Sequence, residues 1–392
     1  MNINNFKIAI IHDWFLKNSI SGAEKVTSSI DKLLIKNYAK PDIFSLTSNL
    51  EAKNQIFEKG RKINTSSIQL LPFGKTNVQN YLPLLPFAIE QINLSKYDLI
   101  LSSSHAFSKG IITSPDQLHI SYIHTPMRYA WDQMNTYLKR STLSRYGFNI
   151  PIRYLLFKLR EWDFYSSQRI DFLISNSNFT AKRIKKYWGL DSEVINPPVN
   201  VEKFDYKQNR GDFYLSVNRL VPNKRIDLIV EAFNVLGLPL IIIGDGPERK
   251  KIEKISNPNI KFLGKSTDEA VKDYMSKCRA FVYAGLEDFG IAPVEALAAG
   301  APVIAYGKGG ILDTINCINN PRVGEITNGL LFKNQRKDTI IEAINWFEDR
   351  KLWEKFSTEG LHNYSRKFNI ETFNNKIDFF INNALNKFKQ KQ

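Results

Sequence analysis

Residues 287–300 read Glu287-Asp288-Phe289-Gly290-Ile291-Ala292-Pro293-Val294-Glu295-Ala296-Leu297-Ala298-Ala299-Gly300, directly behind the apolar run Ala280–Ala284. The apolar run has the length of a buried strand. Proline in a first helical turn forfeits no hydrogen bond, so a helix is predicted to start near Pro293, joined to the strand by a glycine turn. Glu287 then lies on the strand-to-helix loop and Glu295 in the first turn of the helix. At such a start the backbone N–H groups of Phe289, Gly290 and Ile291 point outward, a ready site for a diphosphate. A carboxylate in the same turn can accept both hydroxyls of a ribose. A first-turn glutamate that only complements the helix dipole is the plainer alternative.

Outward from that segment, short apolar runs alternate with amphipathic stretches, the pattern of parallel α/β units. Strands are predicted at Lys7–His12, Asp42–Leu46, Asp98–Ser103, Leu118–His124 and Phe172–Ser177. The rhythm restarts at Phe213–Asn218, Leu240–Gly244, Ile260–Leu263, Ala280–Ala284 and Pro302–Tyr306. Helical patterns lie between, for example over Gly22–Leu34, Ile226–Leu236 and Ala270–Cys278. Asn196-Pro197-Pro198-Val199-Asn200 separates the two halves and reads as a linker, because proline fixes φ and disfavours helix at the residue before it. A chain of 392 residues is too long for one ordinary domain, and two α/β domains account for it. Ligands of open α/β sheets bind beyond the carboxyl ends of the strands, so the chemistry is sought there.

Arg219 stands at one predicted strand end, with Lys224 following in Arg219-Leu220-Val221-Pro222-Asn223-Lys224. Two cations converging on one point suit a leaving diphosphate, where negative charge accumulates as a glycosidic bond breaks. A pair of surface cations fits the spacing equally well. Leu240–Glu248 ends a strand in a turn through Gly244 and Gly246. As a dinucleotide fingerprint it fails, with Arg249 at the third glycine position and Pro247 breaking the pattern. In the first half, His12-Asp13-Trp14 ends the first strand and Ser21-Gly22-Ala23-Glu24 opens the first helix. Gly22 would let a phosphate approach the backbone, while Ser21 alone reads as an ordinary N-cap. His124 and His105 close neighbouring strands, a place where structural histidines are also common.

Taken together, the segment from Glu287 to Gly300 resembles the E-x7-E signature of glycosyltransferase family 4, through Gly290, Pro293, Glu295, Ala296 and Gly300. Arg219 and Lys224 match that family's R-L-x-x-x-K pattern. The resemblance implies a GT-B fold, with two Rossmann-like domains facing each other across a cleft, and transfer from a nucleotide sugar with retention. It implies Glu287 near the donor-sugar hydroxyls, Glu295 on the ribose, Arg219 and Lys224 on the phosphates, and the Gly244 turn beside the nucleotide. The strand around Phe262 would read the base through its backbone. His124-Thr125 matches an H-T pair that sets His124 against the donor sugar. Gly22 matches the second glycine of the family's G-G-A-E, with Ser21 in place of the first. Tyr129-Ala130-Trp131-Asp132 resembles a subgroup that includes O-antigen mannosyltransferases, which points to GDP-mannose, with UDP-sugars next. The implied acceptor is a glycan or a lipid-linked polysaccharide intermediate. The implied domains are 1–197, joined by a last helix 370–392 that crosses back, and 198–369 as the nucleotide-sugar side.

Composition bounds the remaining choices. The formal net charge of +15 fits three readings: nucleic-acid binding, attraction to an anionic membrane or phosphorylated substrate, or an AT-rich genome favouring Lys, Asn and Ile. The basic residues are scattered rather than gathered in one arm, which argues against nucleic acid. No run of about 18 apolar residues is present, and the start has neither the charged region nor the cleavage site of a signal peptide. A cytoplasmic enzyme is expected. Ile152–Arg160, basic and aromatic, could rest on a membrane surface or be a buried amphipathic helix. Cys278 and Cys317 form no metal-ligand spacing and no Asp-x-Asp stands at a matching strand end. Cations are therefore expected to replace a metal, with no further cofactor. A nicotinamide oxidoreductase is disfavoured by the broken fingerprint, and an epimerase or an inverting transferase of the same fold is the nearer competitor.

Overall fold

The structure is a computed structural model that describes residues 6–17, 22–50, 56–58, 60–140 and 149–390. Ser21, at the expected cap of the first helix, lies outside the described residues. The chain divides into two compact units, Met1–Asn196 with Phe373–Gln392, and Pro197–Thr372.

The N-terminal unit holds a seven-stranded sheet in the order β3-β2-β1-β4-β5-β6-β7. Its strands are β1 (Ile8–Phe15), β2 (Asp42–Ser48), β3 (Ile63–Thr65), β4 (Leu99–Ser104), β5 (Leu118–Ile123), β6 (Phe172–Ser175) and β7 (Glu193–Val194). The C-terminal unit holds a six-stranded sheet in the order β10-β9-β8-β11-β12-β13. There the strands are β8 (Tyr214–Val217), β9 (Leu240–Ile243), β10 (Ile260–Gly264), β11 (Ala280–Tyr283), β12 (Val303–Tyr306) and β13 (Gly329–Phe332). The helices that bear on the site are α1 (Gly22–Asn37), α2 (Asn149–Ser167), α3 (Asn178–Trp188), α4 (Ile226–Leu236), α5 (Ile291–Ala298) and α6 (Ile370–Lys389).

Every strand pair among the described residues is parallel, the arrangement in which both faces of a sheet are covered and its central strands are largely buried. The order of the first six strands in each unit is the Rossmann order, in which connection direction reverses between the first and fourth strands. Those two reversals, β1/β4 and β8/β11, are where the candidate residues gather. The face of β1 and β4 carrying Ile8, Ile10, Leu99 and Leu101 packs on α1 and on the last helix, through Phe373, Ile377, Phe380 and Ile381 of α6.

Three strands not anticipated by sequence pattern, β3, β7 and β13, are all at sheet edges. The first strand also runs three residues past His12, because its pairing with β2 continues to Phe15↔Ser48. Its pairing with β4 stops at His12↔Ser103. The helix after β11 begins at Ile291, two residues before Pro293, because Gly290 at φ +91° turns the chain into it. Glu295 is consequently the fifth helical residue, in the second turn rather than the first.

Candidate active site

Where β1 and β4 diverge beyond His12 and Ser103, the backbone of β4 turns away and its amides lose their strand partner. The buried Asp13 carboxylate replaces it. Oδ2 accepts from the N–H of His105 at 2.7 Å and Ala106 at 3.1 Å, and Oδ1 from Phe107 at 2.5 Å and Ser108 at 2.7 Å. The His105 ring closes on the same carboxylate, with Nδ1 3.0 Å from Oδ2. Burial would push the Asp13 carboxyl up, but His105, His12 and the amides of His105 and Phe107 together hold it below its ordinary value. This is a loop clamp made from a residue that sequence pattern places only as the end of a strand.

Around it the polar side chains are connected. His12 Nδ1 donates to the Ser103 carbonyl at 2.8 Å, and its Nε2 lies 4.0 Å from the buried Glu24 carboxylate in the first turn of α1. Ser103 Oγ lies 2.8 Å from His124 Nε2 and 2.8 Å from Thr27 Oγ1. Burial above all, with His12 and His105 adding to it, holds the His124 imidazole well below its ordinary pKa, so the ring is neutral. His124 sits one residue past β5, its carbonyl accepting from Asn176 Nδ2 at 2.9 Å. Gly22 is the first residue of α1 and half-buried, with no side chain at the helix start.

The segment after His124 is pinned by the helices behind it. Arg183 of α3 bridges Thr125 Oγ1, at 2.8 Å, and the Asp132 carboxylate. Trp131 stacks on Tyr187 with centroids 4.6 Å apart and donates its indole N–H to Asp163 Oδ2 at 2.8 Å. Asp163, fully buried in α2, also accepts from Trp188 Nε1 at 2.8 Å and pairs with buried Lys109 at 2.7 Å. Trp131 is thus a packing residue of the scaffold. The stretch Ile152–Arg160 is part of α2, an amphipathic helix with Leu156 and Leu159 buried and Tyr154 and Phe157 exposed.

In the C-terminal unit, the loops after β8 and β11 meet because those strands are neighbours. Lys224 Nζ lies 2.6 Å from Glu287 Oε1 and 3.0 Å from the Tyr283 hydroxyl. Burial works against the ammonium, but Glu287 and Tyr283 beside it raise its pKa above the ordinary lysine value, so Lys224 stays charged. Arg219 is exposed just past β8. The Glu287 backbone is bracketed by the turn after β12: Glu287 and Gly309 form a parallel bridge, and Gly310 N–H donates to the Glu287 carbonyl at 2.9 Å. A Cβ on Gly310 would stand 2.0 Å from the Asp288 carbonyl oxygen, so only glycine permits this approach. With the helix starting at Ile291 and Pro293 lacking an N–H, the amides at its start that have no intrahelical acceptor are those of Gly290, Ile291 and Ala292. Phe289 is instead buried and contacts the Phe368 ring. Glu295 is half-buried.

Gly244 has a local packing reason: at φ +135°, a Cβ there would stand 1.8 Å from the Asn218 carbonyl oxygen. The turn is therefore pressed against the end of β8, just before Arg219. Phe262 is half-buried on edge strand β10, paired with Ile242. Sequence reasoning misses Asp13, Ser103, Thr27, Tyr283, Asp163 and the glycine pair Gly309-Gly310. Only the glycine pair and the position of Asp13 at a strand end carry a sequence signal.

Each unit matches a glycosyltransferase family model: "Glycosyltransferase Family 4" over residues 20–203, and "Glycosyl transferases group 1" over residues 201–367. An uncharacterized glycosyltransferase of Methanocaldococcus jannaschii is 28% identical over 277 residues, 69% of this chain and 72% of that one. The alpha-1,3/1,6-mannosyltransferase ALG2 of Saccharomyces cerevisiae is 26% identical over 371 residues, 79% of this chain and 71% of its own. A GDP-mannose-dependent alpha-mannosyltransferase of Corynebacterium glutamicum is 29% identical over 167 residues, covering 38% of each chain. Among solved structures, HepE of Anabaena in complex with UDP and glucose superposes with a TM-score of 0.67 at 14% identity, covering 96% of this chain and 100% of that one. With a Rossmann-like sheet in each unit and a glycosyltransferase family model on each, the chain is a glycosyltransferase of the GT-B type.

Proposed function

We propose that this glycosyltransferase transfers mannose from GDP-mannose, with retention at the anomeric carbon, to a hydroxyl of a glycan or lipid-linked saccharide in the assembly of a cell-surface polysaccharide such as an O-antigen. The observation that carries a nucleotide-sugar donor is the charged cluster of Lys224, Glu287 and Tyr283 at the β8/β11 reversal, next to the start of α5. Lys224, Arg219 and the amides at that helix start take the diphosphate, in the place a metal ion would otherwise fill. Glu295 takes the ribose, Glu287 and His124 the sugar hydroxyls. The Gly244 turn and the backbone at Phe262 flank the nucleotide, and Gly22 opens the helix start of the other unit. In the transfer, the bond from C1 to the diphosphate oxygen breaks with its electron pair on the leaving nucleotide. The acceptor oxygen bonds to C1 from the same face, and its proton passes to the departing phosphate oxygen.

Mannose is favoured by the mannosyltransferases among the relatives and by the resemblance through Tyr129–Asp132. A UDP-sugar is the second reading, favoured by the likeness to a protein solved with UDP and glucose. A thermal-shift panel of GDP-, UDP-, ADP- and dTDP-sugars tests both, since a specific ligand stabilises the fold by mass action. Stabilisation by GDP-mannose alone is expected. A shift with UDP-sugars only would overturn the mannose reading, and none with any nucleotide sugar would overturn the donor class.

The acceptor reading extends to place. No helix among the described residues is long and apolar enough to cross a membrane. Charge is unevenly divided: the N-terminal unit holds 29 Lys and Arg against 16 Asp and Glu, a net +13, whereas the C-terminal unit holds 25 against 23, a net +2. Every exposed aromatic side chain among the described residues also belongs to the N-terminal unit, Phe73, Phe87, Tyr154 and Phe157 among them. A basic surface with exposed aromatics suits peripheral contact with an anionic bilayer, on the cytoplasmic side where nucleotide sugars are supplied.

A further inference from the structure

One arrangement of protons satisfies every contact around Ser103, and it decides which nitrogen His124 offers. Thr27 Oγ1 lies 2.9 Å from the Ala23 carbonyl oxygen and 2.8 Å from Ser103 Oγ. A carbonyl only accepts, so the single hydroxyl hydrogen of Thr27 belongs to Ala23. The contact between the two hydroxyls then needs the hydrogen of Ser103, donated to Thr27 Oγ1. His12 supplies no alternative acceptor, since its Nδ1, 2.8 Å from the Ser103 carbonyl oxygen, carries its own hydrogen. Ser103 Oγ has therefore spent its hydrogen and can only accept from His124 Nε2, 2.8 Å away. Any other arrangement sets two lone pairs against each other in a buried site, where Thr27 is wholly buried and Ser103 is nearly so. An unmet polar pair there is costly.

We infer that Thr27 and Ser103 hold His124 in its Nε2–H tautomer, so that Nδ1 is a hydrogen-bond acceptor presented to a hydroxyl of the transferred sugar. Nδ1 makes no hydrogen bond to any described residue. Burial keeps the ring from taking a second proton, so Nδ1 remains bare. The tautomer follows from the contacts alone. Its use on the sugar rests on the proposed role of His124. In that role Ser103, acting through His124, and Thr27, acting through Ser103, are positioning residues, and they make the site select a group that donates: a hydroxyl is accepted, a fluorine or a keto oxygen at the same carbon is not.

The tautomer is read directly by two-bond proton–nitrogen NMR on the full chain labelled with 15N-histidine, the His124 signals being assigned by their loss in His124→Gln. A pyridine-type Nδ1 with a pyrrole-type Nε2 is expected. The opposite pattern in the wild type would overturn the inference. In Thr27→Val the Ser103 hydroxyl loses its acceptor and turns to His124 Nε2, so the pattern should reverse, while Thr27→Ser should restore it. An unreversed pattern in a folded Thr27→Val removes Thr27 from the relay. With the reversal, the donor KM is expected to rise roughly 10-fold and to recover in Thr27→Ser. A reversed tautomer with unchanged KM would leave the relay intact and overturn the contact of His124 with the sugar, so the two failures are distinct.

Discussion

Lys224 Nζ and Glu287 Oε1 are 2.6 Å apart, although 63 residues separate them in the chain. The pair exists because β8 and β11 are neighbours in the sheet, and it is partly shielded from water. The ammonium proposed to meet the diphosphate is thus already oriented by a carboxylate and by the Tyr283 hydroxyl. Lys224→Ala should lower turnover more than 10-fold, given roughly 1.5–3 kcal/mol for a charge-assisted hydrogen bond. Glu287→Ala should lower it comparably, and the double variant should lose much less than the sum of the two, since paired groups couple. Additive losses in a double-mutant cycle of kcat would dissolve the unit. Because the Lys224 pKa is raised, its charge, and any stability the pair provides, persists at and below the ordinary lysine pKa and is lost only as pH rises through the higher folded value.

Glu295 lies in the second turn of α5 and is half-buried, and its proposed role is to hold the ribose. Glu295→Ala should raise the dissociation constant of the free nucleotide diphosphate by about 10-fold or more. It should leave the melting temperature of the unliganded chain within a few degrees. Wild-type affinity by calorimetry would return Glu295 to a structural role at the helix start.

How much of this is legible in the sequence depends on whether the signal is local. The central strands are, because both faces of a parallel sheet are buried and the runs are continuously apolar, as in Leu240-Ile241-Ile242-Ile243. The edge strands β3 and β7 are not, since Ile63-Asn64-Thr65 and Glu193-Val194 are short and largely uncovered. Glu287, Glu295 and Lys224 stand out by spacing, yet nothing local shows that Lys224 meets Glu287, or that Tyr283 of an apolar strand joins them. The start of α5 is misjudged by two residues because Pro293 is the conspicuous residue, while it is the positive φ of Gly290 that turns the chain. Ser103 and Thr27 read as small residues of a strand and a helix, and their roles come only from sheet neighbours and the packing of α1.

Asp13 offers a test of the polar cluster in the N-terminal unit. Its four amide bonds and the His105 contact have no replacement if the carboxylate becomes an amide, because an amide oxygen can serve one pair of N–H groups while its NH2 faces the other. Asp13→Asn should cost ~3 kcal/mol of stability, as for a buried charge network that loses one member, measured by urea unfolding. The folded pKa lies below the ordinary carboxylate value. The stabilisation is therefore complete above about pH 4 and is lost as pH falls through the folded pKa. The variant should lack that component of acid sensitivity, and an identical acid profile would show that Asp13 contributes none of it.

If the N-terminal unit contacts a bilayer, the chain should sediment with vesicles containing anionic lipid and not with neutral ones. Binding should weaken as salt rises toward a Debye length of about 3 Å at 1 M. Replacing Tyr154 and Phe157, both exposed on α2, by serine should reduce sedimentation without changing transfer to a soluble acceptor. Equal binding to neutral vesicles would leave the +13 charge of this unit without a role in membrane contact.

The last test separates scaffold from specificity. Trp131 belongs to the stretch that resembles mannosyltransferases, yet its ring lies on Tyr187 and its N–H is held by Asp163. Asp163 also holds Trp188 and the buried Lys109, whose ammonium lies 4.8 Å from the Trp162 ring. One carboxylate in α2 thus ties down the loop after β4, through Lys109, and the loop after β5, through Trp131. Those loops carry His105 and His124. Trp131→Phe keeps the stack and loses one hydrogen bond, so stability should fall by about 1 kcal/mol with the ratio of activities on GDP-mannose and UDP-sugars unchanged. Asp163→Asn strands the Lys109 charge in an apolar site and should cost roughly 3–5 kcal/mol. A donor preference that shifts in Trp131→Phe at unchanged stability would make this tryptophan a reader of the sugar. A preference that holds while stability falls identifies it as part of the frame that positions His124.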